Sequence, residues 1–242
     1  MFRKIKQIEQ QVPENISAPH QLRHQSLIMS SPWLTLLQQH RAIAVIRTSQ
    51  LSLGLQMAQA VAAGGIPLIE ITWNSADAPK LIHRLRQELP HCTIGTGTIL
   101  NQEQLRQAID VGVQFLFTPH VDAALIACAV AADVPIVPGA LSPTEIVTAW
   151  NAGASSVKVF PIQAVGGASY IKALQGPLGQ IPLIPTGGVT LENAQEFITA
   201  GAIAVGLSGE LFPKSLVSTE DWKAIAYRAK TLKEQLTTNS KS

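Results

Sequence analysis

The 242-residue chain is poor in cysteine and in charge, and each shortage excludes a class of protein. Its two cysteines, Cys92 and Cys128, lie far apart without metal-ligand spacing, which argues against a disulfide framework and suits the reducing cytoplasm. Charged residues make up 14% of the chain, the net charge is +2, and no Lys/Arg cluster with interleaved aromatic residues is present. The electrostatic pattern of a nucleic-acid-binding protein is therefore missing, and chemistry on a small molecule becomes the default expectation.

Long apolar runs are also lacking. The most apolar region, residues 121–138, is broken by Asp122, Asp133 and prolines, so no window reaches the roughly 18 uncharged residues that a membrane-spanning helix needs. Residues 1–20 are basic but lack the apolar core of a signal peptide. A plain extension, an extra helix and a transit peptide stay open for this segment.

The chain is rich in short apolar runs separated by helix-like segments. Eight such runs are strand candidates, and their ends recur every 20–26 residues. Between them, apolar residues recur at helical spacing with glycine just past the end. Strands that alternate with helices predict an α/β protein with a parallel sheet, and eight units predict closure into a (β/α)8 TIM barrel, with a doubly wound open sheet as the alternative. The candidates cover residues 42–48, 66–73, 93–99, 114–120, 135–141, 156–162, 181–188 and 202–209.

We predict one barrel domain, residues 41–236, preceded by an N-terminal helical extension, residues 1–40. The second half of the extension should add a helix before the first strand, and residues 218–236 should form the eighth helix of the ring. Residues 237–242, "TTNSKS", are expected to fray.

Strand alternation predicts three charged side chains inside the barrel. In "IPLIEITW" the apolar set at positions 69, 71 and 73 suits the helix-facing side, so Glu70 faces inward. The same logic puts Lys158 of "SSVKVFP" and Arg47 of "AIAVIRT" inside. An isolated buried ion loses several kcal/mol of hydration, so Glu70 and Lys158 are either a structural ion pair or a site. Because barrel active sites lie at the carboxyl ends of the strands, where all three fall, we expect a site.

A desolvated lysine beside another cation has a lowered pKa and supplies a free amine at neutral pH. Such an amine attacks ketones, and the resulting protonated imine permits carbon–carbon cleavage through an enamine without any metal. Glu70 is the carboxylate available for the proton transfers.

Glycine-rich turns end three of the predicted strands. "PTGGVT" (185–190) ends the seventh strand and opens a helix, while "VGLSGEL" (205–211) ends the eighth, and this is the usual phosphate position of such barrels. In "GTGT" (95–98) on the third strand, Thr96 and Thr98 are expected to line the interior as hydroxyl donors.

These pieces, in this order, resemble the bacterial 2-keto-3-deoxy-6-phosphogluconate (KDPG) / 4-hydroxy-2-oxoglutarate (KHG) aldolase family. The resemblance runs from about Arg41 to Phe212, and is carried by "GGIPLIEITWNS", "IGTGTIL", "FLFTPH", "VPGALSPTEI", "SVKVFP", "YIKALQGPLG", "PTGGVTLEN" and "AVGLSGELF". It implies a class I (Schiff-base) aldolase, a lyase that cleaves KDPG or a related 4-hydroxy-2-oxo acid into pyruvate and an aldehyde, glyceraldehyde 3-phosphate or glyoxylate. It also implies a homotrimer that needs neither metal nor organic cofactor.

The resemblance implies roles for particular residues. Lys158 would form the imine, and Glu70 would be the acid/base residue. Arg47, Thr98 and Pro119 would contact the carboxylate or carbonyl end of the pyruvate unit, and Phe160 would wall the pocket. The remaining expected substrate-binding residues belong to the two phosphate-type turns: Thr186, Gly187, Gly188, Gly206 and Ser208.

Two departures from the family pattern keep other functions open. Asn74 stands where many gluconate-type members carry an arginine, and the phosphogalactonate aldolases have a similar block; Asn74 could otherwise cap a helix. Leu207 stands where a second glycine is frequent. The alternatives are a 2-dehydro-3-deoxy-6-phosphogalactonate aldolase, a phosphate-binding barrel isomerase without a covalent step, and a sugar-phosphate binding protein.

Overall fold

The elements of the fold follow the apolar runs and the polar, helix-like segments of the sequence. The computed structural model describes residues 31–238. Predictions for residues 1–30, including the transit-peptide alternative, and for residues 239–242 lie outside this range. The strands are β1 (Ala42–Ile46), β2 (Leu68–Thr72), β3 (Thr93–Gly97), β4 (Leu116–Phe117), β5 (Ile136–Val137), β6 (Gly139–Ala140), β7 (Val157–Val159), β8 (Leu183–Pro185) and β9 (Val205–Leu207). The helices are α1 (Pro32–His40), α2 (Leu51–Ala63), α3 (Ala78–Glu88), α4 (Gln102–Asp110), α5 (Ala123–Ala131), α6 (Pro143–Asn151), α7 (Ala168–Leu178), α8 (Ala194–Thr199), α9 (Lys214–Ser218) and α10 (Trp222–Thr238), with a 3₁₀ helix at Ile162–Val165.

All strand pairs are parallel, and the fold is an α/β fold with a curled parallel sheet. One sheet has the order β5-β4-β3-β2-β1-β9 and the second has the order β6-β7-β8. The run predicted as the fifth strand is divided between them at Pro138, which cannot donate a ladder hydrogen bond. At the other end of the second sheet, Thr186 forms an isolated parallel bridge with Gly206 of β9. The doubly wound alternative fits less well, because in such a sheet the first strand lies beside an early strand of the second half, whereas β1 pairs with β2 and with the last strand, β9.

Two apolar layers lie on the two faces of the strands. The outer layer packs the sheets against the helices and includes Ile69, Ile71, Val157 and Val159, as strand alternation predicted. The inner layer lies on the opposite face and consists of Trp33, Leu34, Leu37, Ile43, Leu68, Phe115, Phe117, Val137, Ile184 and Ala204.

Helix α1 covers the inner layer at the amino ends of the strands. Ser31 caps the helix by accepting a hydrogen bond from the Leu34 N–H, and Pro32 stands in the first turn, where its missing N–H costs nothing. The Trp33 Nε1–H donates to Ser156 Oγ, just before β7, at 3.1 Å, and its ring stacks on Phe115 with centroids 5.0 Å apart. The helix expected before the first strand is therefore present, and it closes the interior at that end.

At the other end of the chain, α10 continues to Thr238, two residues beyond the boundary predicted for the barrel. It packs on the end of α2, where an added methyl at Gly64 would lie 2.5 Å from Ala229 Cβ. None of the helices between residues 31 and 238 is long and apolar enough to cross a membrane.

Candidate active site

Lys158 lies at the centre of β7 and points to the interior side of the sheet. Its neighbours in register are Gly139 on β6 and Ile184 on β8. The side chain is only 8% exposed, and its Nζ lies 4.6 Å from the centroid of the Phe160 ring and 5.8 Å from that of Phe117. Aromatic ring faces attract an ammonium, but they do not replace a counter-ion. Within residues 31–238 the ion pairs of 4.0 Å or less do not include Lys158, so the structural ion pair with Glu70 is not formed.

Burial lowers the pKa of Lys158 from its ordinary value. The negative charge of Glu70 acts in the opposite direction, and Arg47 adds to the lowering. These causes, desolvation together with a neighbouring cation, are the ones expected from the sequence. A larger fraction of this lysine is thus a neutral amine at neutral pH than is the case for a lysine on the surface.

Glu70 lies on β2 between Val45 and Gly95 and is 2% exposed. Burial raises the pKa of its carboxyl, and the charges of Lys158 and then Arg47 oppose the rise. A carboxyl whose pKa is raised towards neutrality can both donate and accept a proton in one catalytic cycle.

Three further predicted residues surround this pair at the carboxyl ends of the strands. Arg47 follows β1 directly and is exposed, and its charge acts on both Glu70 and Lys158. Phe160 is 37% exposed and stands over Lys158. Pro119 packs on Gly139, the register partner of Lys158, so closely that a methyl there would lie 2.6 Å from the Pro119 carbonyl carbon.

The first phosphate-type turn begins at Thr186, at the end of β8. The Thr186 Oγ1 is buried and has no hydrogen-bond partner among the described residues, and it lies 2.6 Å from the place of a methyl added at Gly206. Gly187 and Gly188 have φ of +82° and +96°, which L side chains rarely adopt. Gly187 lies against Phe160, since an added methyl would be 3.1 Å from its ring. The turn therefore adjoins the wall of the lysine pocket.

The helix expected to open directly at this turn begins later. Thr190 and Asn193 instead hydrogen-bond each other's main-chain N–H groups, and α8 begins at Ala194. At the end of β8, therefore, the backbone of the glycine turn lies where the first turn of a helix was expected. In the second turn Ser208 is exposed, and its carbonyl accepts hydrogen bonds from the N–H groups of Leu211 and Phe212.

The prediction for the third strand is partly wrong. Thr96 does not line the interior, because its hydroxyl donates to the Ile71 carbonyl at 2.6 Å, within the sheet. The interior face of β3 is formed by Gly95 and Gly97 instead, since methyls added there would meet Phe115 and Glu70. Thr98, just past the strand, has a φ of +63°, a strained conformation for a β-branched residue.

Two residues of the site were missed from the sequence. Phe117 contacts the lysine ammonium, and its signal was the alternation of aromatic residues in "FLF", which puts Phe115 and Phe117 on one face. Gly97 underlies the Glu70 carboxylate, and the third strand alone carried no signal for it, since glycine and threonine alternate in "GTGT" and both fit either face.

Asn74 is exposed and does not cap the following helix. The N-cap position of α3 is occupied by Asp77, whose side chain makes no capping hydrogen bond. Among residues 31–238, no group of three or more histidine, cysteine, aspartate or glutamate residues has a metal-binding arrangement.

A parallel α/β fold with a buried amine and a buried carboxyl on the interior side of its strands is typical of an enzyme. The family model described as KDPG and KHG aldolase matches residues 34–227. The chain belongs to this family, and the predictions of that family and of a lyase are confirmed.

Individual relatives agree with this assignment. The 2-dehydro-3-deoxy-phosphogluconate aldolase of Pseudomonas aeruginosa is 35% identical over 191 residues, which are 79% of this chain and 87% of that protein. The structure of KDPG aldolase from Legionella pneumophila, with pyruvate captured at low pH as a covalent carbinolamine intermediate, is 26% identical with a TM-score of 0.78. The matched region covers 84% of this chain and 98% of the Legionella pneumophila chain. A cube-shaped protein cage, designed by fusing symmetric oligomeric domains, is 31% identical with a TM-score of 0.74, covering 81% of this chain and 71% of that one.

Proposed function

We propose that the chain is a class I aldolase that cleaves KDPG, or the related 4-hydroxy-2-oxoglutarate, into pyruvate and an aldehyde. The observation that carries the proposal is Lys158, a buried amine with a lowered pKa and no paired carboxylate within 4.0 Å in the described part of the chain. An amine of this kind is the group that condenses with a ketone. The carbinolamine captured in the Legionella pneumophila relative supports the same chemistry here.

The reaction begins when the neutral amine of Lys158 attacks the C2 ketone. The carbinolamine loses water and becomes a protonated imine, which withdraws electrons from C3. Glu70 accepts the proton of the C4 hydroxyl, directly or through a water molecule, as the C3–C4 bond breaks. The electrons of that bond form an enamine, and the aldehyde leaves. Protonation of the enamine at C3 and hydrolysis of the imine then release pyruvate and restore the lysine.

The remaining residues bind the substrate in this proposal. Arg47 attracts the carboxylate of the oxo acid, and Thr98 and Pro119 contact its carboxylate or carbonyl end. Phe160 forms the wall between the lysine and the glycine turn. The phosphate is bound by the turns at 186–188 and 206–208, and the left-handed glycines and the unpartnered Thr186 hydroxyl support this assignment.

The alternative functions have less support. The Pseudomonas aeruginosa and Legionella pneumophila relatives carry the phosphogluconate name, which does not favour the phosphogalactonate alternative. A non-covalent isomerase or a binding protein gains nothing from a buried amine whose ammonium form is disfavoured.

We also propose that the two sheets form one closed (β/α)8 barrel within residues 41–236, with the extension of residues 1–40 outside it. The single residue between β5 and β6 and the bridge between Thr186 and Gly206 support closure. A homotrimer stays a proposal, supported in its coarser form, an oligomer, by the designed cage. A cytoplasmic setting is likewise proposed, in keeping with two free thiols, Cys92 and Cys128.

The test is reductive trapping. The protein is mixed with pyruvate and sodium borohydride, and the modified residue is located by peptide mapping, while cleavage of KDPG is followed by pyruvate release. We expect a reduced pyruvyl adduct on Lys158, and we expect Lys158→Ala to fold but neither to be modified nor to turn over. Turnover by the folded Lys158→Ala variant, or no adduct in the wild type with pyruvate in excess, would remove the covalent mechanism.

A further inference from the structure

The interior face of β3 carries no side chain at its last two inward positions, Gly95 and Gly97. The space above Gly95 is filled by the ring of Phe115, whose Cγ lies 2.5 Å from the place of an added methyl. The space above Gly97 is filled by the carboxylate of Glu70. A methyl at Gly97 would overlap the Glu70 carboxylate and lie 3.1 Å from its Cγ.

The register of the strands explains this contact. Glu70 is opposite Gly95, and Thr72 is opposite Gly97. The Glu70 side chain therefore extends along the neighbouring strand towards its carboxyl end and lies flat over the backbone of Gly97. Any side chain at position 97 would occupy the place of the carboxylate.

Packing is what holds this carboxylate. Within residues 31–238, the Glu70 carboxylate forms no hydrogen bond to another side chain or to the main chain and no ion pair, although the residue is 2% exposed. The backbone of Gly97 itself does not require glycine, because its φ lies outside the left-handed region. The lack of a side chain at position 97 is therefore a matter of space for Glu70.

We infer that Gly97 is a positioning residue that fixes the Glu70 carboxylate at the depth where it exchanges protons with the substrate; this rests on the proposed function. Alanine at position 97 displaces the carboxylate by about 1 Å towards the opening, and a misplacement of that size costs about 10²-fold in rate. Because the displaced carboxyl is less buried, its pKa falls, and the acidic limb of the pH–kcat profile moves to lower pH.

The experiment is a double-mutant cycle on KDPG cleavage with the full-length protein. Gly97→Ala should lower kcat by about 10²-fold. In the Glu70→Asp background, where the shorter side chain no longer reaches over residue 97, the same substitution should lower kcat by less than about threefold. Gly176→Ala is the matched control, since a methyl added there meets no atom within 4 Å, and it should leave kcat unchanged.

Two readouts separate positioning from loss of structure. Trapping of pyruvate on Lys158 should persist in Gly97→Ala, because the imine forms on β7. The acidic limb of the pH–kcat profile should shift in Gly97→Ala and not in the control Gly176→Ala. If Gly97→Ala does not fold, the double variant Gly97→Ala/Glu70→Ala is the deciding test. A folded double variant supports the steric overlap between residue 97 and Glu70, and an unfolded one overturns it.

A wild-type kcat for Gly97→Ala, or an equal loss in the Glu70→Asp background, would overturn the inference while leaving the aldolase in place. Absence of both cleavage and trapping in the wild type would instead remove the proposed function, and the inference with it.

Discussion

Replacing Trp33 with alanine would open the inner layer at the amino ends of the strands. The Trp33 side chain is 3% exposed, stacks on Phe115 and donates a hydrogen bond to Ser156. Truncation of a buried tryptophan to alanine costs about 3–5 kcal/mol. Because a domain of this kind has about 5–15 kcal/mol of stability in total, Trp33→Ala should remove a large share of it.

The hydrogen bond can be separated from the packing. Trp33→Phe keeps an aromatic ring against Phe115 but leaves the buried Ser156 hydroxyl without its donor, which should cost about 1–3 kcal/mol. Ser156→Ala in the same protein removes both polar partners, and a pair replaced by apolar groups can be nearly neutral. The double variant should therefore be more stable than the sum of the two single changes predicts.

The measurement is urea unfolding followed by far-ultraviolet circular dichroism for the wild type and the four variants. Trp33→Ala should lower the free energy of unfolding by at least about 3 kcal/mol, and the cycle should give a coupling of about 1 kcal/mol. A loss below about 1 kcal/mol for Trp33→Ala would refute the reasoning, because α1 would then contribute little to the core.

Three further predictions concern the site. Trapping of pyruvate by sodium cyanoborohydride should accelerate with pH and level off below 10.5, because burial lowers the pKa of the Lys158 amine; acceleration continuing to that value would contradict this. Because the pKa of Lys158 is lowered in the folded state, this lysine binds more protons in the unfolded chain at neutral pH, and folding is less favourable for it. Lys158→Met should therefore abolish trapping and yet raise Tm, measured by calorimetry, by about 2–4 °C for each kcal/mol of stability gained. Thr98→Gly should relieve a strained conformation and raise Tm while lowering kcat/KM, and unchanged kinetics would remove Thr98 from the substrate contacts.

The positions of Glu70 and Lys158 could be predicted because their strands carry apolar residues at every second position. In β2 and β7 that apolar set identifies the helix-facing side, and the charged residue takes the other side. In "GTGT" no such set exists, since threonine and glycine both fit either face. The structure puts glycine inside because Phe115 and Glu70, which come from neighbouring strands, need the space. That requirement is tertiary and cannot be read from the third strand alone.

The start of α8 was misplaced for a local reason. "PTGGVTLEN" contains a turn followed by helix-forming residues. Thr190 and Asn193 hydrogen-bond each other's main-chain N–H groups, so the turn continues to Asn193 and the helix begins at Ala194. Competition between side-chain-to-backbone hydrogen bonds and helix formation is common for these residue types. Conversely, the break between β5 and β6 was visible in "PIVPGAL", where Pro138 interrupts the run.

The buried rings of Trp33, Phe115 and Phe117 lie in contact one after another and lead to Lys158, whereas Phe160, the other ring near the amine, is 37% exposed. Under the proposed reaction, we therefore expect the oxo acid to reach the amine, and the aldehyde to leave it, on the side of the exposed Phe160 ring.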